Sequence, residues 1–208
     1  MGRLVVIEGL DGSGKRTLTA ALTEAFGQRG AKVAQHAFPR YGEDVHADLV
    51  SEALHGRLGD VADSVHGMAV LFALDRYGAR DVLRQDLSDF DVVLVDRYIA
   101  SNAAYQAARV HQDESGEIVQ WVHDLEIGRF DLPVPDRQLL LRVPVELAAQ
   151  RAETRDRVRD SYETDGGLQR RCADVYDGLA RIGWLAPWLV LGGTERPGEL
   201  ADTLLAGA

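Results

Sequence analysis

The sequence predicts an α/β fold in which a five-stranded parallel sheet is flanked by helices, and three observations lead to this prediction. Five short apolar runs alternate with stretches of helical periodicity, as repeated strand–helix–strand units do. Two of the runs, DVVLVDRY (91–98) and RQLLLRV (137–143), have a continuous apolar centre between polar residues, which is typical of strands buried on both faces. A glycine-rich segment separates the first run from the first helix.

The predicted elements follow in a regular order along the chain. The first strand ends at Ile7, and a helical pattern runs from Lys15 to about Phe26. The second strand ends at FPRYG, whose proline and glycine break regular structure. The other predicted elements are helices at about 46–56 and 64–88, a strand at 91–98, helices at 100–110 and 115–130, a strand at 137–143, a helix from 144, a helix at 162–183, a strand at 188–193 and a helix at 195–206.

Length and composition limit the classes of function. A chain of 208 residues fits one domain, and we expect that domain to span 1–208. The net charge of −10 argues against a nucleic-acid partner and against an anionic membrane surface. Cys172 is the only cysteine, so no intramolecular disulfide can form. With no signal segment and no apolar run near 18 residues, we expect a cytoplasmic protein.

The segment EGLDGSGKRT matches the first half of a Walker A phosphate-binding loop, Gly9-x4-Gly14-Lys15. Gly9, Gly12 and Gly14 let the backbone curl so that its N–H groups can point at phosphate oxygens. The following helix adds partial positive charge, and Lys15 adds a full one. The loop therefore indicates a P-loop NTPase fold and a nucleoside triphosphate ligand, but it does not separate kinases from ATPases or GTPases.

The residue after the loop lysine departs from the usual pattern. Arg16 stands where a serine or threonine normally ligates magnesium, and Thr17, one position later, points roughly 100° away around the helix. A guanidinium can donate two parallel hydrogen bonds to phosphate oxygens. Our hypothesis is that Arg16 contacts ATP directly, and the alternative is a helix arginine that faces solvent.

A second group of polar residues begins where the buried strand at 91–98 ends. Asp96 and Arg97 are predicted at the carboxyl end of this strand, where ligands of open α/β sheets gather. Asn102 and Tyr105 are three positions apart and share one helix face. Arg97 suits a phosphate, and the amide of Asn102 suits a base edge. The alternatives are a structural ion pair for Asp96 and Arg97, and an ordinary helix surface for the other two.

Two further pairs have the chemistry of a nucleotide site. Phe72 and Arg76 lie four apart on the long helix, where a phenyl ring and a guanidinium could together hold a flat base. Taken alone, Phe72 is more typical of a core position. Arg40 and Tyr41 follow the second strand and reach the same edge of the sheet.

These motifs together resemble the thymidylate kinase family, in its bacterial form. EGLDGSGKRT, FPRYG, FALDR, DRYIASNAAYQ and RDRVRDSYE occur in the family's order from residue 7 to about 165. The resemblance implies a P-loop fold with a mobile lid, magnesium as cofactor, a homodimer, and transfer of the γ-phosphoryl group of ATP to dTMP. Another P-loop nucleoside or nucleotide kinase, or a nucleotide-dependent switch, remains the alternative.

The resemblance also assigns residues to roles. The dTMP site would comprise Asp11, Phe38, Arg40, Tyr41, Phe72, Arg76, Arg97, Asn102, Tyr105, Tyr162 and Glu163. The ATP site would comprise Gly9, Asp11, Gly12, Ser13, Gly14, Lys15, Arg16, Thr17 and Arg151. The catalytic group would comprise Lys15, Arg16, Arg97, Asp11, Arg155 and Arg157.

Within the dTMP site, the resemblance places Phe72 on the face of thymine and gives a thymine carbonyl to Arg76. Asn102 would hold another edge of the base. Arg97 and Arg40 would bind the phosphate. Tyr105 would lie where a ribose 2′-hydroxyl would stand and so disfavour ribonucleotides.

The lid is expected at about 149–162, where Arg151, Arg155, Arg157 and Arg159 are concentrated. Composition alone would also fit a solvated, salt-bridged face. Since Arg16 removes the usual hydroxyl ligand, magnesium needs other hard oxygen ligands. Asp11 and Glu163 are the preferred ligands, and Asp96 is a further candidate.

Overall fold

One five-stranded parallel sheet organises the computed structural model, which describes residues 2–153 and 161–206. The strand order is β2-β3-β1-β4-β5, and every pairing is parallel. The strands are β1 (Arg3–Glu8), β2 (Val33–Ala37), β3 (Val92–Asp96), β4 (Arg137–Leu141) and β5 (Trp188–Leu191). The predicted fold class is therefore confirmed.

Both faces of the sheet are covered by helices, because its central strand is apolar on both sides. Leu4 and Val6 of β1 belong to the core on one face, and Val5 and Ile7 to the core on the other. On the second face, α1 (Lys15–Gly27) and α9 (Pro197–Ala206) complete the smaller core. The larger core holds the helices that carry the candidate site.

The remaining helices connect the strands. They are α2 (Val45–Leu54), α3 (Val65–Asp89), α4 (Ile99–Arg109), α5 (Glu117–His123), α6 (Val145–Glu153), α7 (Ser161–Thr164) and α8 (Gly166–Ile182), with a 3₁₀ turn at Val61–Asp63. Every residue of α4 from Ile99 to Ala108 is buried. Because α4 follows β3 directly, this buried helix holds the side chains of the DRYIASNAAYQ motif at a fixed position.

Two predicted helices are divided in the structure. The helix expected at 115–130 is α-helical only as far as His123, and Asp124–Arg129 forms a π-helical segment. The wider turn changes the helical face, and the adjacent Leu125 and Glu126 are both buried. The helix expected at 162–183 is interrupted at Asp165, whose side chain accepts a hydrogen bond from the Leu168 amide and so begins α8.

Candidate active site

The glycine-rich loop connects β1 to α1 and depends on unusual backbone angles. Gly9, Gly12 and Gly14 have φ values of 139°, 81° and 103°. A Cβ atom on Gly12 would lie 2.0 Å from the carbonyl oxygen of Ala148 in α6. The loop therefore needs glycine at this position for its conformation and for its contact with the next helix.

A Gly12→Ala substitution should destabilise the protein, because the new methyl group meets backbone atoms that cannot rotate away. We expect the free energy of unfolding to fall by about 1–3 kcal/mol in a urea titration. Gly27→Ala is the matched control, since it lies in α1 with no atom within 4 Å of the added Cβ. An unchanged stability in Gly12→Ala would contradict the tight packing of the loop.

Lys15 begins α1 and turns back over its own loop. Its Nζ donates hydrogen bonds to the carbonyl oxygens of Gly9 (3.0 Å) and Leu10 (2.8 Å). Burial and the charge of Arg97 lower the pKa of Lys15 to about 8, and nearby carboxylates oppose this shift. A bound phosphate would favour the charged form of the lysine. Arg16 and Thr17, by contrast, are exposed.

Asp11 and Arg97 join the glycine loop to the end of β3. Nη2 of Arg97 lies 2.8 Å from Oδ1 of Asp11, and the Tyr105 hydroxyl donates to Oδ2 of Asp11 at 3.1 Å. Burial opposes ionisation of Asp11, but the charges of Arg97 and Lys15 outweigh it and hold the pKa of Asp11 well below its usual range. The carboxylate is thus ionised at neutral pH and keeps the guanidinium of Arg97 beside the loop.

Glu8 is linked to Arg97 through the Ser101 hydroxyl, and no role was predicted for Glu8 from the sequence. It is fully buried at the end of β1, and its Oε1 accepts hydrogen bonds from the backbone amides of Tyr98 (2.9 Å) and Ser101 (3.3 Å) at the start of α4. Its Oε2 accepts from the Ser101 hydroxyl (2.6 Å), which in turn accepts from Nη1 of Arg97 (3.2 Å). Burial raises the pKa of Glu8, while the hydrogen bond from Ser101 and the charge of Arg97 lower it. The one sequence feature that could have indicated a role for Glu8 is its position directly after the apolar run of the first strand.

A cavity of about 300 Å³ opens beside this group. Nine residues predicted for the dTMP site line it: Asp11, Phe38, Tyr41, Phe72, Arg76, Arg97, Asn102, Tyr105 and Tyr162. Pro39, Leu54, Ser101 and Gln106 complete the lining and were not predicted. The rings of Tyr105 and Tyr162 stack with centroids 5.9 Å apart. The volume falls within the range of small-molecule sites.

Arg76 and Asn102, which both line the cavity, also meet a buried carboxylate. Glu126, in the π-helical segment, accepts hydrogen bonds from Nε (2.5 Å) and Nη2 (2.7 Å) of Arg76 and from Nδ2 of Asn102 (2.8 Å). Arg76 is 2% exposed and Glu126 is completely buried, so solvent screens this pair little. Sequence reasoning missed Glu126, because nothing in its local pattern distinguishes it from a surface residue.

Comparisons with known proteins agree with this geometry. The family model described as Thymidylate kinase matches residues 7–186. The chain is 51% identical over 206 residues to a protein of Mycobacterium tuberculosis named Thymidylate kinase, with 97% of this chain and 96% of that protein covered. The chain belongs to the thymidylate kinase family. Among its more distant relatives are a Thymidylate kinase of Xanthomonas oryzae pv. oryzae (35% identity, covering 86% of this chain and 72% of the relative) and a Probable thymidylate kinase of Thermococcus gammatolerans (32%, covering 88% and 85%).

Some residues assigned through the likeness to thymidylate kinase are not gathered at the cavity. Arg40 does not line it, because its guanidinium is held by Asp75 (Nε to Oδ1, 2.8 Å) and Asp44 (Nη2 to Oδ2, 2.9 Å). A contact between Arg40 and a substrate phosphate stays a prediction. Arg151 is exposed near the end of α6. Half of the predicted lid, residues 154–160 with Arg155, Arg157 and Arg159, lies outside the described residues, and so does the side chain of Glu163.

The loop and β3 offer oxygen ligands that fit the magnesium expected of a thymidylate kinase. Oδ1 of Asp96 and Oγ of Ser13 are buried and have no hydrogen-bond partner within residues 2–153 and 161–206. Both are hard oxygen atoms of the kind that magnesium prefers. Both oxygens of Asp11 are already engaged by Arg97 and Tyr105. Among the described residues, no three His, Cys, Asp or Glu side chains converge on one point, so phosphate oxygens and water would complete the coordination.

Residues 2–153 and 161–206 contain no candidate membrane-spanning helix. None of the helices found there combines the length and the apolar composition needed to cross a bilayer.

Proposed function

We propose that this protein transfers the γ-phosphoryl group of ATP to dTMP, giving dTDP and ADP. The observation that carries the proposal is one cavity whose lining includes both Arg76 and Asn102, which share the Glu126 carboxylate, and the Asp11–Arg97 pair. The first pair suits the polar edge of a base, and the second suits a phosphate. The glycine loop, which includes Asp11, has the positive φ angles of a loop that can cradle the phosphates of a nucleoside triphosphate.

The chain's own residues contribute mainly position and charge. An oxygen of the dTMP phosphate attacks the γ-phosphorus in line, and this oxygen is already anionic near pH 7, so no strong general base is required. Arg97 holds the acceptor phosphate, and Lys15 leaves its loop carbonyls to bind the donor phosphates. Together these cations offset the repulsion between two anionic nucleotides.

Asp96, Asp11 and Glu163 are the residues that would hold magnesium, whose positive charge would offset that of the ATP phosphates. Asp96 is the ligand we propose first, because its buried Oδ1 has no partner in the described part of the chain. Asp11 remains a candidate if it exchanges a present partner for the metal, and Glu163 remains one on the resemblance alone. Comparing the affinity for manganese in Asp96→Asn and Asp11→Asn variants would rank these two ligands.

Arg16→Ala should lower kcat by more than about threefold if this exposed arginine folds onto the ATP phosphates. The physical reason is that charge spreads over the equatorial oxygens in the transition state, where a guanidinium stabilises it. Steady-state kinetics at saturating dTMP measure the effect. Arg29→Ala is the control, because Arg29 lies just beyond the C-terminal end of α1 and pairs with Asp202. A smaller change in kcat than threefold would rule out the direct contact.

A coupled assay of ADP release tests the proposed reaction. The panel consists of dTMP, dUMP, thymidine and the ribonucleotide TMP, each with and without magnesium. We expect dTMP to give the fastest release, and the ribonucleotide to be disfavoured because Tyr105 lies beside the sugar. A preference for thymidine would indicate a nucleoside kinase, and slow hydrolysis that no acceptor accelerates would indicate a nucleotide-dependent switch.

Three broader proposals rest on the resemblance and the composition rather than on the site. We propose that the protein is a homodimer, and a monomer mass from light scattering at micromolar concentration would contradict this. We also propose a cytoplasmic location, which suits a chain whose only cysteine, Cys172, is buried and free. The chain should also behave as one domain, so a single unfolding transition is expected.

A further inference from the structure

Glu126 is a completely buried carboxylate in the π-helical segment. It accepts hydrogen bonds from two different side chains, Arg76 and Asn102, and both of these line the cavity. Glu126 itself does not line the cavity. Any effect of Glu126 on a ligand must therefore pass through the two residues that it holds.

The hydrogen bonds to Glu126 occupy two of the three nitrogens of the Arg76 guanidinium. Nε and Nη2 of the guanidinium both donate to the Glu126 carboxylate, at 2.5 and 2.7 Å. Nη1 has no hydrogen-bond partner in residues 2–153 and 161–206. A guanidinium nitrogen can donate but cannot accept. Arg76 therefore presents a donor, and only a donor, to a ligand in the cavity.

Glu126 also fixes which way the amide of Asn102 points. The amide nitrogen Nδ2 donates to the backbone oxygen of Ala69 at 3.0 Å and to Oε1 of Glu126 at 2.8 Å. Both partners are acceptors, so the nitrogen must occupy this side and both of its hydrogens are used. The oxygen Oδ1 receives only a long contact of 3.4 Å from Gln106, another cavity residue. Asn102 therefore presents an acceptor to the ligand.

We propose that Glu126 is a positioning residue that sets base specificity by fixing a donor on Arg76 beside an acceptor on Asn102. This pair complements the carbonyl oxygen and the adjacent ring N–H of thymine or uracil. Cytosine carries an amino group and an unprotonated ring nitrogen at the same places, so it would set donor against donor and acceptor against acceptor. The inference rests on the proposed function, since it assumes that the base of the acceptor nucleotide lies in the cavity against Arg76 and Asn102.

Replacing Glu126 with glutamine tests this role, because the shape is kept while one acceptor oxygen becomes an NH₂ donor. In one orientation that donor faces Nη2 of Arg76 and Nδ2 of Asn102, and in the other it faces Nε of Arg76. Either orientation sets donor against donor, which turns the guanidinium away, and the first also favours the flipped amide of Asn102. We measure the dissociation constants of dTMP and dCMP by calorimetry, without ATP, and express preference as their ratio. The ratio in favour of dTMP should fall by about tenfold or more relative to wild type.

Two further variants separate positioning from general damage. Gln138→Leu, on β4, removes the hydrogen bond that the buried Gln138 side chain donates to the backbone oxygen of Trp184. Gln138 does not line the cavity, so this variant should leave the ratio unchanged. Glu126→Asp keeps the charge but withdraws it by one methylene group, and it is the variant to measure if the glutamine variant does not fold. We expect a smaller fall in its ratio, since two acceptor oxygens remain.

The outcomes distinguish the inference from the proposed function. If the folded Glu126 variant weakens dTMP and dCMP equally, the residue is merely structural and the inference is wrong. Wild-type protein that shows no preference for dTMP would also overturn it. If wild type binds dTMP preferentially but releases no ADP from ATP, the proposed reaction is wrong, while the effect of Glu126 on the ratio still stands.

Discussion

Replacing Lys15 with alanine is expected to lower kcat/KM at least about 100-fold. Lys15 is the only lysine at the glycine loop, and its ammonium group already lies within hydrogen-bond distance of two loop carbonyls. A phosphate group that enters the loop would replace these carbonyls as the partner of the ammonium. The alanine variant would leave the charge that develops on the transferring phosphoryl group without this counter-charge.

The chain offers a matched control, because Lys32 is its only other lysine and is exposed at the start of β2. Lys32→Ala should stay within about twofold of wild type in the coupled ADP-release assay. Thermal melts of both variants should be compared, because Lys15 is buried. Retention of activity in a folded Lys15→Ala variant would contradict the assignment of the loop to ATP.

Replacing Arg97 with alanine is also expected to lower kcat/KM for dTMP by about 100-fold or more. Arg97 carries two functions at once, since it faces the cavity and holds Asp11 at 2.8 Å. Its removal leaves the Asp11 carboxylate partly unpaired next to the place where an acceptor phosphate would bind. Repulsion between two anions would then replace attraction.

Arg97→Lys separates charge from geometry. A lysine keeps the positive charge but cannot contact Asp11 and Ser101 through two nitrogens of one planar group. Its kcat/KM should lie between those of the alanine variant and wild type. Arg84→Ala is the control, because Arg84 pairs with Asp131 on the surface. Equal activity in Arg97→Ala and Arg84→Ala would exclude a role for Arg97 in the reaction.

The sequence predicted the sheet well because the relevant signals are local. Continuous apolar runs located the strands, and the glycine pattern located the loop whose backbone angles the structure confirms. The sequence motifs also identified most of the residues that line the cavity, including Phe72 and Asn102 from different helices. Local patterns carry this information because a strand or loop is determined largely by its own residues.

The sequence did not reveal the residues whose role depends on distant partners. Glu8 meets Ser101 across a large sequence separation, and Glu126 likewise meets Arg76, so no short pattern contains either pair. The π-helical segment is similarly hidden, since its sequence continues the periodicity of α5. For Arg40, sequence could not decide between a substrate phosphate and the carboxylates of Asp44 and Asp75, because all three are anionic partners.

The position of β1 in the sheet bears on the synthesis of the chain. β1 is translated before both of its neighbours, because Arg3 pairs with Val92 and Val5 pairs with Arg137, so those strands emerge from the ribosome much later. Until then, a strand that is apolar on both faces has nothing to cover it and can associate with other nascent polypeptides. Pairings this distant along the chain also slow the search for the native topology. The central strand of the sheet is therefore paired on both sides only after β4 has been synthesised.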